Sequence, residues 1–195
     1  MINCMIAGVG GQGTVLASKL IAAAAMNKGL NVRTTETIGM AQRGGCVVSH
    51  IRIGRSIYSP LIPLKGVHAA IAFEPAEAVR ILPYLADDGV LIVCDTAVKP
   101  VTSSLIGDTY QASVMLDYLK TYAARLVPVS GEKLLAQCGN AKALNVALLG
   151  TAVQSGILPF GAEELKRAIK EMLPQHFWEM NIASFEIGRR MYNEV

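Results

Sequence analysis

The sequence predicts a three-layer α/β/α, Rossmann-like domain on a mixed sheet, and three observations carry that expectation. An apolar run, Ile2 to Val9, passes through Gly8-Val9-Gly10-Gly11-Gln12-Gly13 into an Ala-rich helical stretch, Thr14 to Lys28. Asn31–Ile38 then reads as a second strand, completing a β-α-β opening with Gly29 as the helix stop. The alternating run from Cys46 to Ile53 follows without a crossover helix before it, so an antiparallel member enters an otherwise parallel α/β pattern.

Each element has its own reason. Ile2–Val9 is continuously apolar, as a strand buried on both faces reads. Thr14–Lys28 carries the Ala22–Ala25 run, which combines high helix propensity with side chains small enough for close packing. Gly39-Met40-Ala41-Gln42-Arg43-Gly44-Gly45 is a loop. In the next strand Val47, Ser49, Ile51 and Ile53 share one face, and Val48, His50 and Arg52 the other. Gly54-Arg55 reads as a two-residue turn that returns the chain as Ser56–Ser59, an antiparallel hairpin. Pro60–Lys65 is a connector and Ala69–Phe73 a buried strand. Pro75 sits at a first helical position, where its missing N–H is harmless, and that helix runs to about Leu85. Asp87-Asp88-Gly89 turns into the strand Val90–Cys94. A short helix near Ser113–Ala124 and a strand near Arg125–Val129 come next, then helices at Glu132–Gln137, Ala143–Gln154, Ala162–Leu173 and Ile182–Asn193. In Ala162–Leu173, Leu165, Ala168, Ile169 and Met172 line one side, as on an amphipathic helix lying on a core. No linker, internal repeat or low-complexity tract divides the chain, so residues 1–195 read as a single domain.

Composition excludes several function classes. The apolar fraction is 52% and the charged fraction 17%, at the apolar end of globular composition, which points to a partner subunit. No apolar stretch approaches the ~18 residues of a membrane span. No basic region and cleavage site open the chain, so a cytoplasmic protein is expected. A net charge of +3 with scattered Lys and Arg gives no footprint for nucleic acid. Cys4, Cys46, Cys94 and Cys138 lie far apart, without the paired thiolates of a zinc or iron–sulfur site. No G-x-S-x-G, no H-E-x-x-H and no P-loop lysine is present, and among the histidines only His50, on a face with Arg52, is held open for a site role.

The chemistry that remains sits in the glycine turn. A strand turning through glycines into a helix N-terminus points unpaired N–H groups at an anion. The residues also match G-x-G-x-x-G, with Glu36 roughly 20 residues beyond, as in a dinucleotide site. Glu36, however, runs directly into the Gly39–Gly45 loop rather than into a second βαβ half. A stand-alone Rossmann-like module binding a dinucleotide or another anionic ligand stays as the alternative.

Three stretches carry a family resemblance: Gly8–Gly13, then Glu36-Thr37-Ile38 with the Gly39–Gly45 loop, then Ser49-His50-Ile51-Arg52. Together they resemble the gamma-type domain of the 2-oxoacid:ferredoxin oxidoreductases. The Gly39–Gly45 stretch is similar in particular to the beta subunit of the indolepyruvate type. The likeness continues through Phe73-Glu74-Pro75, Asn145–Gly150 and Asn181–Phe185, and so spans the chain.

The resemblance implies the fold of domain III of the pyruvate–ferredoxin enzymes and a division of labour. A larger subunit holds thiamine diphosphate and the iron–sulfur clusters. The complex oxidatively decarboxylates an aryl 2-oxoacid, passes the acyl group to coenzyme A and reduces ferredoxin. This chain then carries no catalytic residue and no metal ligand, is inert alone, and covers the active site. A homodimer of the isolated chain is compatible with an exposed partner-facing patch. Gly10, Gly11, Gln12, Gly13, Thr14 and Arg43 are the residues expected to hold a coenzyme A phosphate or a substrate carboxylate. Glu36 is expected to serve the loop's backbone donors or to pair with Arg43.

Overall fold

The computed structural model describes residues 1–38, 45–98 and 110–193. Its elements run β1 (Ile2–Val9), α1 (Thr14–Asn27), β2 (Asn31–Ile38), β3 (Cys46–Gly54), β4 (Val67–Ala72), α2 (Pro75–Ile81), β5 (Leu85–Cys94), α3 (Ala112–Tyr122), β6 (Arg125–Val129), α4 (Gly131–Cys138), α5 (Leu144–Gln154), α6 (Ala162–Met172) and α7 (Trp178–Tyr192). The six strands form one sheet in the order β2-β3-β1-β4-β5-β6. The segment β1, β4, β5, β6 is parallel, whereas β3 is antiparallel to both of its neighbours, β1 and β2. The expected mixed α/β sheet is present.

The antiparallel partner differs from the expectation. Residues 56–59 form no strand; β3 instead pairs along its whole length with β2, from Asn31 opposite Gly54 to Ile38 opposite Val47. The physical reason is that β3 already has two neighbours, so a third strand has no free edge to join. The boundary at Leu85 also moves. Pro83 ends α2 in a single 3-10 turn over Leu82–Tyr84, and β5 starts at Leu85, with a register irregularity against β4 where Asp87-Asp88-Gly89 had read as a turn.

Alternation along the strands divides the core in two. On one face Ile6, Ile51, Ile71 and Ile92 pack under α1 and α4 to α7. On the other, Met5, Ala70, Leu91 and Val93 pack under α2, α3 and Ile62 of the connector. The first face is held by close helix packing: α5 and α7 touch backbone to backbone, and Thr151 Oγ1 donates to the Gly188 carbonyl at 3.0 Å. A Cβ on Gly188 would collide with the Ala147 carbonyl, and one on Gly150 with that of Phe185. Only glycine permits this crossing.

Candidate anion site at the carboxyl edge

The carboxyl ends of β1, β2, β4 and β5 share one edge of the sheet, and the glycine turn opens there. The Gly10 N–H donates to the Gly45 carbonyl at 2.8 Å, so the start of β3 lies against the turn. Gly11 and Gly13 have φ of 104° and 77°, the left-handed region that glycine enters without strain. Gly13 is the N-cap of α1, where a residue with a side chain would also strike the Asn145 amide. Asn145, reaching over from α5, donates from Nδ2 to the Gly13 carbonyl at 3.3 Å and accepts the Val146 N–H on Oδ1 at 2.8 Å.

Counting donors sorts the expected residues into two sets. Gly10 is committed to Gly45. Gln12 is engaged through both main chain and side chain: its N–H donates to the Val9 carbonyl at 3.1 Å and its Nε2 to the Phe73 carbonyl at 2.9 Å. Its Oε1 meanwhile accepts the Val9 N–H at 2.8 Å. Gln12 therefore staples the turn to the strand end after β4. The N–H groups of Gly11, Gly13 and Thr14 have no acceptor among the described residues, and no acidic residue or capping side chain stands in the first turn of α1. These three donors remain for an anion.

Two cavities flank the turn. A mainly apolar cleft of about 230 Å³ is lined by Gly11, Phe73, Cys94, Asn145, Leu144 and Leu148. On the other side a cavity of about 250 Å³ is lined by Cys46, Glu74, Glu77, Arg80, Val98 and Tyr110. Glu74 and Glu77 are both buried there. Glu74 is the N-cap of α2, with Oε2 accepting the Glu77 N–H at 3.0 Å and Oε1 the Tyr110 hydroxyl. Glu77 is met by Arg80 Nε at 3.2 Å. Burial, and then the hydrogen bond to Glu77, push the Cys46 thiol up to about 11, so it stays protonated at neutral pH. Burial followed by the Glu74 hydrogen bond raises the Tyr110 phenol as well. Sequence reasoning assigned no role to this group. Glu74 was accessible to it, as an acidic N-cap directly before a Pro at N1. The Tyr110 contact, which bridges 36 positions, was not.

The other expected residues fall out as follows. Arg43 lies outside the described residues. Glu36 sits in β2 opposite Ser49, and β3 separates it from β1. In a dinucleotide fold the acid-bearing strand is the neighbour of β1, about 4.8 Å away; here it stands one strand spacing farther out. His50 is not at the edge. It is buried on the α2–α3 face, where Nδ1 accepts the Ile62 N–H at 3.2 Å and the ring meets Tyr84 edge-on. Burial holds its pKa below the ordinary histidine value. Arg52, beside it, donates to the Ser59 and Leu61 carbonyls at 3.0 and 3.3 Å and to Asn3 Oδ1 at 3.1 Å. The two residues fasten the connector across the sheet, which accounts for them without a ligand.

Nor do the thiols fit an iron–sulfur cluster. Cys4 and Cys94 are core residues, and burial pushes the Cys4 thiol up to about 12. Among the described residues no group of three or more His, Cys, Asp or Glu could hold a metal ion. No helix among them is long and apolar enough to cross a membrane.

Comparison with known proteins adds family and fold. Residues 3–191 match the family described as pyruvate ferredoxin/flavodoxin oxidoreductase. Indolepyruvate oxidoreductase subunit IorB of Archaeoglobus fulgidus is 36% identical over 195 residues, covering 100% of this chain and 95% of that one. Among solved structures, the gamma subunit of keto/oxoacid ferredoxin oxidoreductase from Geobacter sulfurreducens superposes with a TM-score of 0.70 at 20% identity, each chain covered in full. The 2-oxoglutarate:ferredoxin oxidoreductase of Magnetococcus marinus, solved with 2-oxoglutarate, coenzyme A and succinyl-CoA, gives 0.73 at 16% identity. It covers 100% of this chain and only 31% of that longer one.

Proposed function

Because the chain belongs to the pyruvate ferredoxin/flavodoxin oxidoreductase family and is a subunit of a 2-oxoacid ferredoxin oxidoreductase, we propose that its complex oxidises indolepyruvate or another aryl 2-oxoacid to the acyl-CoA. The observation that carries this reading is the 36% identity to an indolepyruvate oxidoreductase subunit over the whole of this chain and 95% of the relative. Thiamine diphosphate and iron–sulfur clusters, held by a larger subunit, supply the decarboxylation and electron transfer to ferredoxin. The chain works in the cytoplasm and is inert without that subunit.

The work of this chain is binding and closure. The Gly11, Gly13 and Thr14 N–H groups take a substrate carboxylate or a coenzyme A phosphate, with the α1 dipole behind them. Gly10 and Gln12 hold the turn in shape, and Asn145 braces it from α5. Arg43 supplies a cation beside the same anion. The described residues on either side of it, the end of β2 at Ile38 and Gly45, whose carbonyl accepts from Gly10, both lie at the edge where the glycine turn opens.

Arg43→Ala in the assembled enzyme tests the reading. kcat/KM should fall by about 2–4 kcal/mol, the scale for stranding a desolvated charge, with assembly unchanged. Normal kinetics with weakened assembly would instead make Arg43 an inter-subunit ion pair. Turnover of the reconstituted pair across several 2-oxoacids should favour the aryl acids. Tight NAD binding by the isolated chain, lost on Glu36→Ala, would turn the assignment to the dinucleotide alternative.

A further inference from the structure

The sheet ends on two edge strands of opposite character. β6, at one end, has five residues and carries Pro128, which has no N–H to offer a further strand. β2, at the other, runs eight residues without proline or lysine, and its register with β3 is unbroken from Asn31 to Ile38. The alternation of an antiparallel ladder tells which of its main-chain groups are free. In the β1–β3 register the Gly10 N–H meets the Gly45 carbonyl, so odd-numbered residues of β3 turn their main chain toward β1 and even-numbered ones toward β2. His50, Arg52 and Gly54 therefore engage Thr35, Arg33 and Asn31. The intervening residues, Val32, Thr34, Glu36 and Ile38, aim their N–H and C=O groups out of the sheet, where no strand among the described residues meets them.

We propose that this edge pairs with the same edge of a second copy of the chain, antiparallel about a twofold axis at Thr35, so that two sheets become one. A twofold axis normal to a sheet sets one residue opposite itself, and the sequence of β2 selects which. Centring on Arg33 or on Glu36 opposes like charges. Centring on Thr34 sets Ile38 opposite Leu30, which lies before the strand begins. Centring on Thr35 sets Thr34 opposite Glu36 and Val32 opposite Ile38, so all four outward residues exchange hydrogen bonds. Thr35 then meets Thr35 of the second copy, a favourable cross-strand pair, and Arg33 meets Thr37. No charged residue directly faces one of its own sign. An unrelated strand would have to match this pattern by chance, whereas a second copy brings it by identity. The flank of the edge agrees. Met26, Leu30, Val32 and Arg33 border a groove of about 650 Å³ beside the start of β2, where in this register the second copy's strand ends. Met26 is 63% exposed there, apolar surface that the pairing covers. This lateral edge is distinct from the carboxyl edge, so the pairing stands or falls independently of the subunit reading.

The twofold axis offers a charge test on the full chain. Thr35→Lys and Thr35→Glu each oppose like charges at the axis, whereas a one-to-one mixture of the two opposes unlike ones. Circular dichroism and the melting temperature establish that each variant is folded. In sedimentation the wild-type chain should run as a dimer at micromolar concentration. Each Thr35 variant alone should raise the dimer Kd about tenfold or more, and the mixture should recover most of that loss. Thr34→Pro, which removes one outward N–H and adds no charge, should weaken the dimer as well. A monomeric wild-type chain, or a dimer whose Kd is unmoved by the folded variants, would overturn the proposal. If both Thr35 variants dissociate and their mixture does not recover, the strands do not meet at Thr35 and the proposal falls. Folded variants that stay dimeric but no longer bind the larger subunit would give the edge to that chain instead.

Discussion

Five helices cover one face of the sheet, while the opposite face has two helices and a connector among the described residues. Helices α5 and α3 show the difference at equal length. Both have eleven residues; nine are buried in α5 and one in α3. The α5 side is made of small side chains and backbone contact, as at Gly150 and Gly188 against α7. The α3 side leaves tyrosines in solvent. The first face is closed by this chain's own helices, and the second leaves apolar side chains in solvent. The same contrast holds at the carboxyl edge, where Gln12 and Asn145 use their polar groups to build the turn and Gly11, Gly13 and Thr14 keep theirs free among the described residues.

The comparison breaks if the densely packed face tolerates damage. Phe185, fully buried in α7, should give the largest effect: Phe185→Ala should cost about 3–5 kcal/mol in urea unfolding of the isolated chain. A loss no larger than that of Tyr118→Ala, expected within ~0.5 kcal/mol as an exposed substitution, would mean that the two faces contribute alike. Gly188→Ala should cost about 1–3 kcal/mol, because the added methyl meets the Ala147 carbonyl and the α5–α7 crossing must open. A wild-type melting temperature would show that the crossing has slack.

The smallest expected effect is a pH dependence on the sparser face. His50 is buried as the neutral ring that accepts the Ile62 N–H, and burial holds its folded pKa below the ordinary histidine value. Above about 6.5 its contribution to stability is complete. It is lost as the pH falls from there through the folded pKa, because the unfolded state then binds the extra proton. His50→Gln should flatten that decline in unfolding experiments at several pH values between 7.5 and 5. An unchanged slope would assign it to other groups.

What the sequence disclosed follows from how local each cause is. The β1–α1–β2 opening and the start of β3 are legible because apolar period, glycine stop and helix propensity all act within a few residues. The hairpin at Gly54-Arg55 was misassigned because turn chemistry reports that a chain can reverse, and not which edges are vacant. β3 lies between β1 and β2, and that arrangement is decided by partners far along the chain. At the site, glycine spacing located the turn, yet the division between committed and free donors depends on Phe73 and Gly45, which only the fold brings close. His50 and Arg52 were legible as a pair on one face. Their work on the connector was hidden because it consists of bonds to main chain.

The position of β3 also sets a timetable for the nascent chain. β1 is the first strand made, but its antiparallel neighbour is complete only when Gly54 has emerged, with Ile2 lying opposite Ile53 and Val9 opposite Cys46. Until then β1 and β2 are two finished strands joined by a finished helix, free to pair directly in the order a plain βαβ unit would adopt. The native sheet requires that this pairing be avoided or undone so that the β2–β3 ribbon can dock against β1 as one piece. The glycine turn, whose Gly10 is bonded to the first residue before β3, cannot take its final shape before that moment, and its bonds with Phe73 and Asn145 wait for residues made later still. The anion site is therefore acquired in steps, the last of them only once Asn145 has been made and α5 has packed.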